Sequence, residues 1–109
     1  MALLKGTLDV LVLKTLSWGP MHGVEITTWL ESRSGGRIDV TDAALLQALH
    51  RLEERELLAA EWGITENGRR ARYYRLTAAG RARLRAESSE LIDHVKTLTA
   101  ILTARSAER

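Results

Sequence analysis

The chain has 109 residues, 45% of them apolar, no Cys, and a formal net charge of +2. That length fits one domain, whose small core leaves much surface uncovered unless it associates with something. The lack of Cys excludes disulfides, thiolate metal ligands and Cys nucleophiles and fits a reducing, cytoplasmic setting.

The predicted elements, in chain order, begin with a helix over residues 3–17. Leu4, Leu8 and Leu11 stand at helical spacing, Val10, Val12, Leu13 and Leu16 thicken the stripe, and Gly19-Pro20 ends it. Lys5, Asp9 and Lys14 interrupt this apolar stretch and no small-residue cleavage site follows, so neither an export signal nor a membrane span is expected. A second helix is predicted from about Met21 to Ser32, with Val24 or Ile26, Trp29 and Leu30 on its apolar side and Ser34-Gly35-Gly36 stopping it.

Thr41 is a good N-cap, Asp42 suits a positive helix N-terminus, and Leu45, Leu49 and Leu52 define the buried stripe of a third helix. At about 100° per residue, Ala43, Gln47, His50, Arg51 and Glu54 point away from those leucines, with Leu46 on the flank. Amide and guanidinium groups on one exposed face can read base edges or grip phosphates, although any solvent face can carry the same set.

Two strands follow, Leu57 to Trp62 and Ala71 to Leu76, around Thr65-Glu66-Asn67-Gly68. Asn67-Gly68 is the pair a type I′ turn prefers, and a two-residue turn there sets Trp62 opposite Tyr73 with Arg69 and Arg70 at the tip. Charge is uneven around this hairpin. Seven Arg and no acid lie between Arg69 and Arg85, whereas residues 53–66 hold five Glu against one Arg. A basic block on a weakly charged chain suggests an anionic partner such as nucleic acid.

Three helices and then a hairpin is the order of a winged helix-turn-helix, whose third helix enters the major groove while the wing reaches the phosphate backbone or minor groove. The fold class expected is therefore mainly α with a small two-stranded hairpin. From Ala78 to Arg105 there is no Pro, and Leu84, Leu91, Val95, Leu98 and Leu102 alternate by three and four with Ser88 in the one missing place. That is a heptad seam on a helix long enough to outrun a three-helix core, and a second copy is its simplest partner. The chain divides accordingly into a winged-helix unit, residues 1–77, and a C-terminal dimerisation helix, residues 78–109, within one continuous globular unit.

Three separated stretches resemble the PadR-type transcriptional regulators: Leu16-Ser17-Trp18-Gly19-Pro20-Met21-His22-Gly23, Leu49-His50-Arg51-Leu52-Glu53, and the run from Gly68 to Gly80, GRRARYYRLTAAG. The likeness spans roughly residues 3–85. It implies a winged helix, a dimer held by the C-terminal helix, and regulation of transcription from promoter DNA. The pattern is broken at three places. Val24 follows Gly23 where the family has Tyr, Leu45-Leu46-Gln47-Ala48-Leu49 replaces Leu-Tyr-Pro-Ala-Leu, and Glu56 stands where a Gly usually follows the third helix.

Other chemistry finds little support. His22, His50 and His94 are far apart, no metal or cofactor site is expected, and Asp93-His94 lacks a nucleophile, so no enzyme activity is expected. His22, after a Gly-Pro, reads as a capping or packing residue. Trp18, Trp29 and Trp62 fit either packing or an effector pocket between subunits, and the effector is left undefined.

The expected protein is a homodimeric repressor on double-stranded, palindromic promoter DNA. Thr41, Gln47, His50 and Arg51 are the candidate contacts on the recognition helix, and Arg69, Arg70 and Arg72 those on the wing. Leu84, Leu91, Val95, Leu98 and Leu102 are the candidate dimer seam. The alternative is a winged-helix dimer serving as a protein-interaction module with weak or no specific DNA binding.

Overall fold

The computed structural model describes residues 1–106. Six elements follow in the order α1 (Thr7–Leu16), α2 (Gly23–Arg33), α3 (Asp42–Glu54), β1 (Leu58–Ile64), β2 (Arg70–Leu76) and α4 (Ala78–Leu102). The fold is thus mainly helical with one antiparallel hairpin, the architecture the element order predicts. Val12, Leu13 and Leu16 of α1, Ile26 and Leu30 of α2, and Leu45, Leu49 and Leu52 of α3 meet Leu57, Leu58, Tyr74 and Leu76 in one core.

The first helix starts later than its apolar pattern implies. Gly6 stands at its N-cap in the left-handed region, φ 86°, which turns the preceding residues off the helix axis. Leu4 is consequently 80% exposed instead of extending the buried stripe. Met21 is not helical either. It exchanges backbone hydrogen bonds with Tyr74 at 3.1 and 2.9 Å, forming an extra bridge on the free edge of β2. His22 is the N-cap of α2, and its N–H donates to the Glu25 carboxylate at 3.1 Å. Of the two alternatives for the apolar side of α2, Ile26 is buried and Val24 is exposed.

Thr41 caps α3 as its sequence position suggests, its hydroxyl oxygen accepting from the Ala44 N–H at 3.1 Å. At the other end the chain leaves through a Schellman arrangement, Glu56 N–H to Glu53 C=O at 2.9 Å and Leu57 N–H to Leu52 C=O at 3.0 Å. Glu56 occupies its left-handed position, φ 60°, alone among the described non-glycine residues in having positive φ. The substitution at the family's usual Gly therefore leaves the turn intact at a local conformational cost. Glu56→Gly is expected to raise unfolding stability by about 1 kcal/mol, read by denaturant titration.

The hairpin register differs by one residue from a two-residue Asn-Gly turn. Trp62 pairs with Arg72, and Tyr73 pairs with Glu61. Thr65 N–H donates to Arg69 C=O at 2.8 Å and Gly68 N–H to Thr65 C=O at 2.9 Å, so the loop is Glu66-Asn67-Gly68. Only Gly68, φ 78°, takes positive φ in it, which is the three-residue turn closed by a left-handed glycine rather than type I′. The Thr65 hydroxyl, accepting from Arg69 N–H at 3.2 Å, favours this longer loop. Since side chains alternate along a strand, the slip assigns Trp62 to the face of Arg70, Arg72 and Tyr74.

Thr77 joins the hairpin to α4. Its hydroxyl accepts from Gly80 N–H at 3.0 Å and donates to the Glu56 carbonyl at 2.7 Å. Gly80 is buried and Leu84 packs on the core, but nearly all of α4 beyond Leu91 is exposed. The radius of gyration, 16.3 Å, exceeds the about 13 Å of a compact chain this long because the 25-residue helix projects. It ends three residues short of the predicted Arg105, and residues 107–109 of the predicted C-terminal segment lie outside the described residues.

Candidate nucleic-acid interface

On α3 the burial is cleanly two-sided. Leu45, Ala48, Leu49 and Leu52 are buried, and Ala43, Gln47, His50, Arg51 and Glu54 are exposed. Leu46 is half exposed beside Gln47. The wing stands next to this face, because Arg72 on β2 and Glu53 on α3 form a two-point ion pair with N–O distances of 2.8 and 3.2 Å.

The candidate arginines divide by partner. Arg51 is held by Asp9 of α1, Nη2 to Oδ1 at 2.7 Å and Nε to Oδ2 at 3.4 Å. The hydrogen bond to Asp9 raises the Arg51 pKa above its usual range, partly offset by desolvation and helped by the Asp9 charge. Arg51 and Arg72 are thus both paired within their own chain at its surface, one bracing α3 against α1 and the other against the wing. Among the described residues Arg69 and Arg70 have no carboxylate partner. The Arg70 guanidinium lies 4.7 Å from the centre of the Trp62 ring.

Sequence reasoning missed Asp9, Glu53 and Trp62. The two carboxylates are 42 and 19 residues from their arginines, beyond any local pattern. Trp62 had a usable signal in Thr65 and Gly68, which select the three-residue loop. The three tryptophans lie apart, in the turn after α1, in α2 and in β1, each with its own cation: Lys14 over Trp18 at 5.1 Å, Arg33 over Trp29 at 5.4 Å, and Arg70 over Trp62.

The predicted seam on α4 splits in two. Leu84 faces the core of its own chain, and Leu91 lines a cleft with Thr7 and Val10 of α1. Val95, Leu98 and Leu102 are exposed, joined by Ile92 and Ile101. This is a broad apolar surface on the projecting part of a helix.

A capped outward-facing helix, a basic two-stranded wing beside it and a long trailing helix define a winged helix-turn-helix protein. The family described as "Transcriptional regulator PadR-like family" matches residues 12–86. An uncharacterized protein of Lysinibacillus sphaericus is 30% identical over 97 residues, covering 84% of this chain and 89% of that one. The chain belongs to the PadR-like family of transcriptional regulators. Among solved structures, a PadR-like transcriptional regulator from Bacillus cereus superposes with a TM-score of 0.80 at 21% identity, over 93% of this chain and 96% of that one. A PadR family transcriptional regulator from Eggerthella lenta gives 0.77 at 28% identity, over 93% and 86%. Among the described residues no helix is long and apolar enough to cross a membrane.

Proposed function

We propose that this PadR-like regulator is a cytoplasmic, homodimeric repressor that binds a palindromic promoter site through α3 and the wing, with no enzymatic step. The observation that carries the reading is the division of the arginines. Arg51 and Arg72 are paired with carboxylates of their own chain, while Arg69 and Arg70, at the outer end of the wing, have no carboxylate partner among the described residues. Cations left uncompensated on a wing next to a polar helix face suit a polyanion.

In this reading Gln47 and His50 meet base edges, and the Thr41 hydroxyl and the α3 N-terminus meet a phosphate. Arg69 and Arg70 grip the backbone or minor groove at the wing, and Arg51 and Arg72 contribute with the donors their carboxylates leave free. Affinity comes mainly from the wing, and specificity from α3. The two halves of a palindrome are met by two protomers joined along α4, one helical turn of DNA or a multiple apart. An effector of undefined chemistry would act by changing the spacing of the two α3 helices.

The test is a titration of duplex DNA from the gene's own upstream region at several salt concentrations. Affinity is expected to fall steeply with salt, and Arg69→Ala with Arg70→Ala to lower the salt slope by about two and weaken binding at least tenfold. Absence of binding at low salt overturns the proposal and leaves the winged helix as a protein-interaction module.

A further inference from the structure

Leu58, Ala60, Trp62 and Ile64 alternate onto one face of β1, opposite Leu76, Tyr74, Arg72 and Arg70 of β2. The half of this face near the core is buried through Leu58, Tyr74 and Leu76. Its outer half continues past the core edge as Trp62, Ile64, Arg70 and Arg72. Trp62 is 62% exposed there, so core packing does not account for it. Instead it supports Arg70, 4.7 Å from its ring, while Arg72 is fixed to Glu53 by the two-point pair and lies 5.7 Å from the Tyr74 ring.

The opposite face of the wing is braced as well. Tyr73 sets its ring edge-on to His22 at 5.3 Å, and its hydroxyl donates to the Ile64 carbonyl at 3.5 Å. Gly63 leaves room for that ring, since a Cβ at residue 63 would lie 2.7 Å from Tyr73 Cδ1. The hairpin is therefore tied to α3 through one face and to the start of α2 through the other.

We propose that the wing is preset for DNA by two positioning residues, Glu53, which fixes its angle to α3 through Arg72, and Trp62, which holds the Arg70 guanidinium in place over its ring. This rests on the reading that the protein binds duplex DNA. Ordering a long side chain and a two-stranded ribbon on association costs affinity, and a wing ordered beforehand avoids that cost. Glu53 acts against simple charge counting. It is an acid beside a phosphate-binding surface, so its removal should tighten binding if it merely repels DNA.

Two duplexes serve as probes: one retained by the wild-type protein from a random-sequence pool, and a scrambled duplex of the same length. Trp62→Ala is expected to weaken binding to the retained duplex about five- to tenfold with an unchanged salt slope, because no charge is lost. Trp62→Phe is expected to restore most of it. Glu53→Gln is expected to weaken the retained duplex about tenfold without weakening the scrambled one, and the reversed pair Glu53→Arg with Arg72→Glu to regain part of the difference.

A second measurement needs no DNA. Spin labels on Asn67→Cys and Glu54→Cys, unambiguous because the chain has no Cys, report the distance from wing tip to α3 in labelled protein diluted with unlabelled. A narrow distribution that broadens on Glu53→Gln is expected. An unbroadened distribution, a Glu53→Gln protein that binds the retained duplex as tightly as wild type, or full affinity in Trp62→Ala overturns the inference while leaving DNA binding standing. Wild-type protein that retains no duplex overturns the DNA-binding reading, and this inference with it.

Discussion

Gly80→Ala is expected to destabilise the fold by about 2–4 kcal/mol, even though alanine is the better helix former by about 1 kcal/mol. The physical reason is the close approach of α4 to the chain that leaves α3. A Cβ on residue 80 would overlap the Leu57 carbonyl oxygen and lie 3.1 Å from its carbon and 3.3 Å from Leu76 Cδ2. That oxygen also accepts the Thr77 N–H at 3.1 Å. The obstacle is backbone, which cannot rotate aside as a side chain can, so either α4 lifts off the hairpin or the Leu57 turn distorts. Thermal unfolding at fixed protein concentration would read this as a drop of roughly 10 °C or more. An alanine variant with unchanged unfolding would show that α4 leaves the hairpin at a greater distance.

For the proposed homodimer, Leu98→Glu is expected to yield monomer. Val95, Leu98 and Leu102 present an exposed apolar stripe that no other element among the described residues covers, and Ile92 and Ile101 widen it. If two copies pack along α4, a symmetric seam brings two carboxylates into one apolar contact, a penalty of at least about 3 kcal/mol and more than a hundredfold in Kd. Sedimentation at micromolar concentration checks the mass. Leu84→Ala probes the other half of the predicted seam and should behave differently. Leu84 packs on its own core, so the loss would register in unfolding, with the association state retained. An unchanged dimer mass for Leu98→Glu would locate the interface elsewhere.

These two substitutions mark the line between local and long-range information. Apolar periodicity is a property of neighbouring residues, and it identified α2, α3 and α4 and the stripe Leu45, Leu49, Leu52 because burial at the helical repeat follows from backbone geometry alone. The caps at Thr41 and Thr77 were equally legible, since each hydroxyl meets an N–H three residues on. Where a single local choice had near-equal alternatives, the pattern misled. An Asn-Gly pair serves two turn lengths, and one residue of difference moved Trp62 from opposite Tyr73 to opposite Arg72. Likewise, apolar residues before Gly6 continued the α1 stripe on paper, but the left-handed backbone at Gly6 ended it.

By itself, then, the sequence determined the class of fold, the two-faced third helix, the basic wing and the family, because each is written in spacing, composition or contiguous motif. Only the tertiary structure decided which of the candidate arginines meets a carboxylate of its own chain. Arg51 and Arg72 look like Arg69 and Arg70 in the sequence, and no rule of spacing pairs Arg51 with Asp9 or Arg72 with Glu53. Whether a guanidinium is free for a polyanion depends on which carboxylates the fold brings within about 3 Å, and that is set by the packing of α1, α3 and the wing around one core.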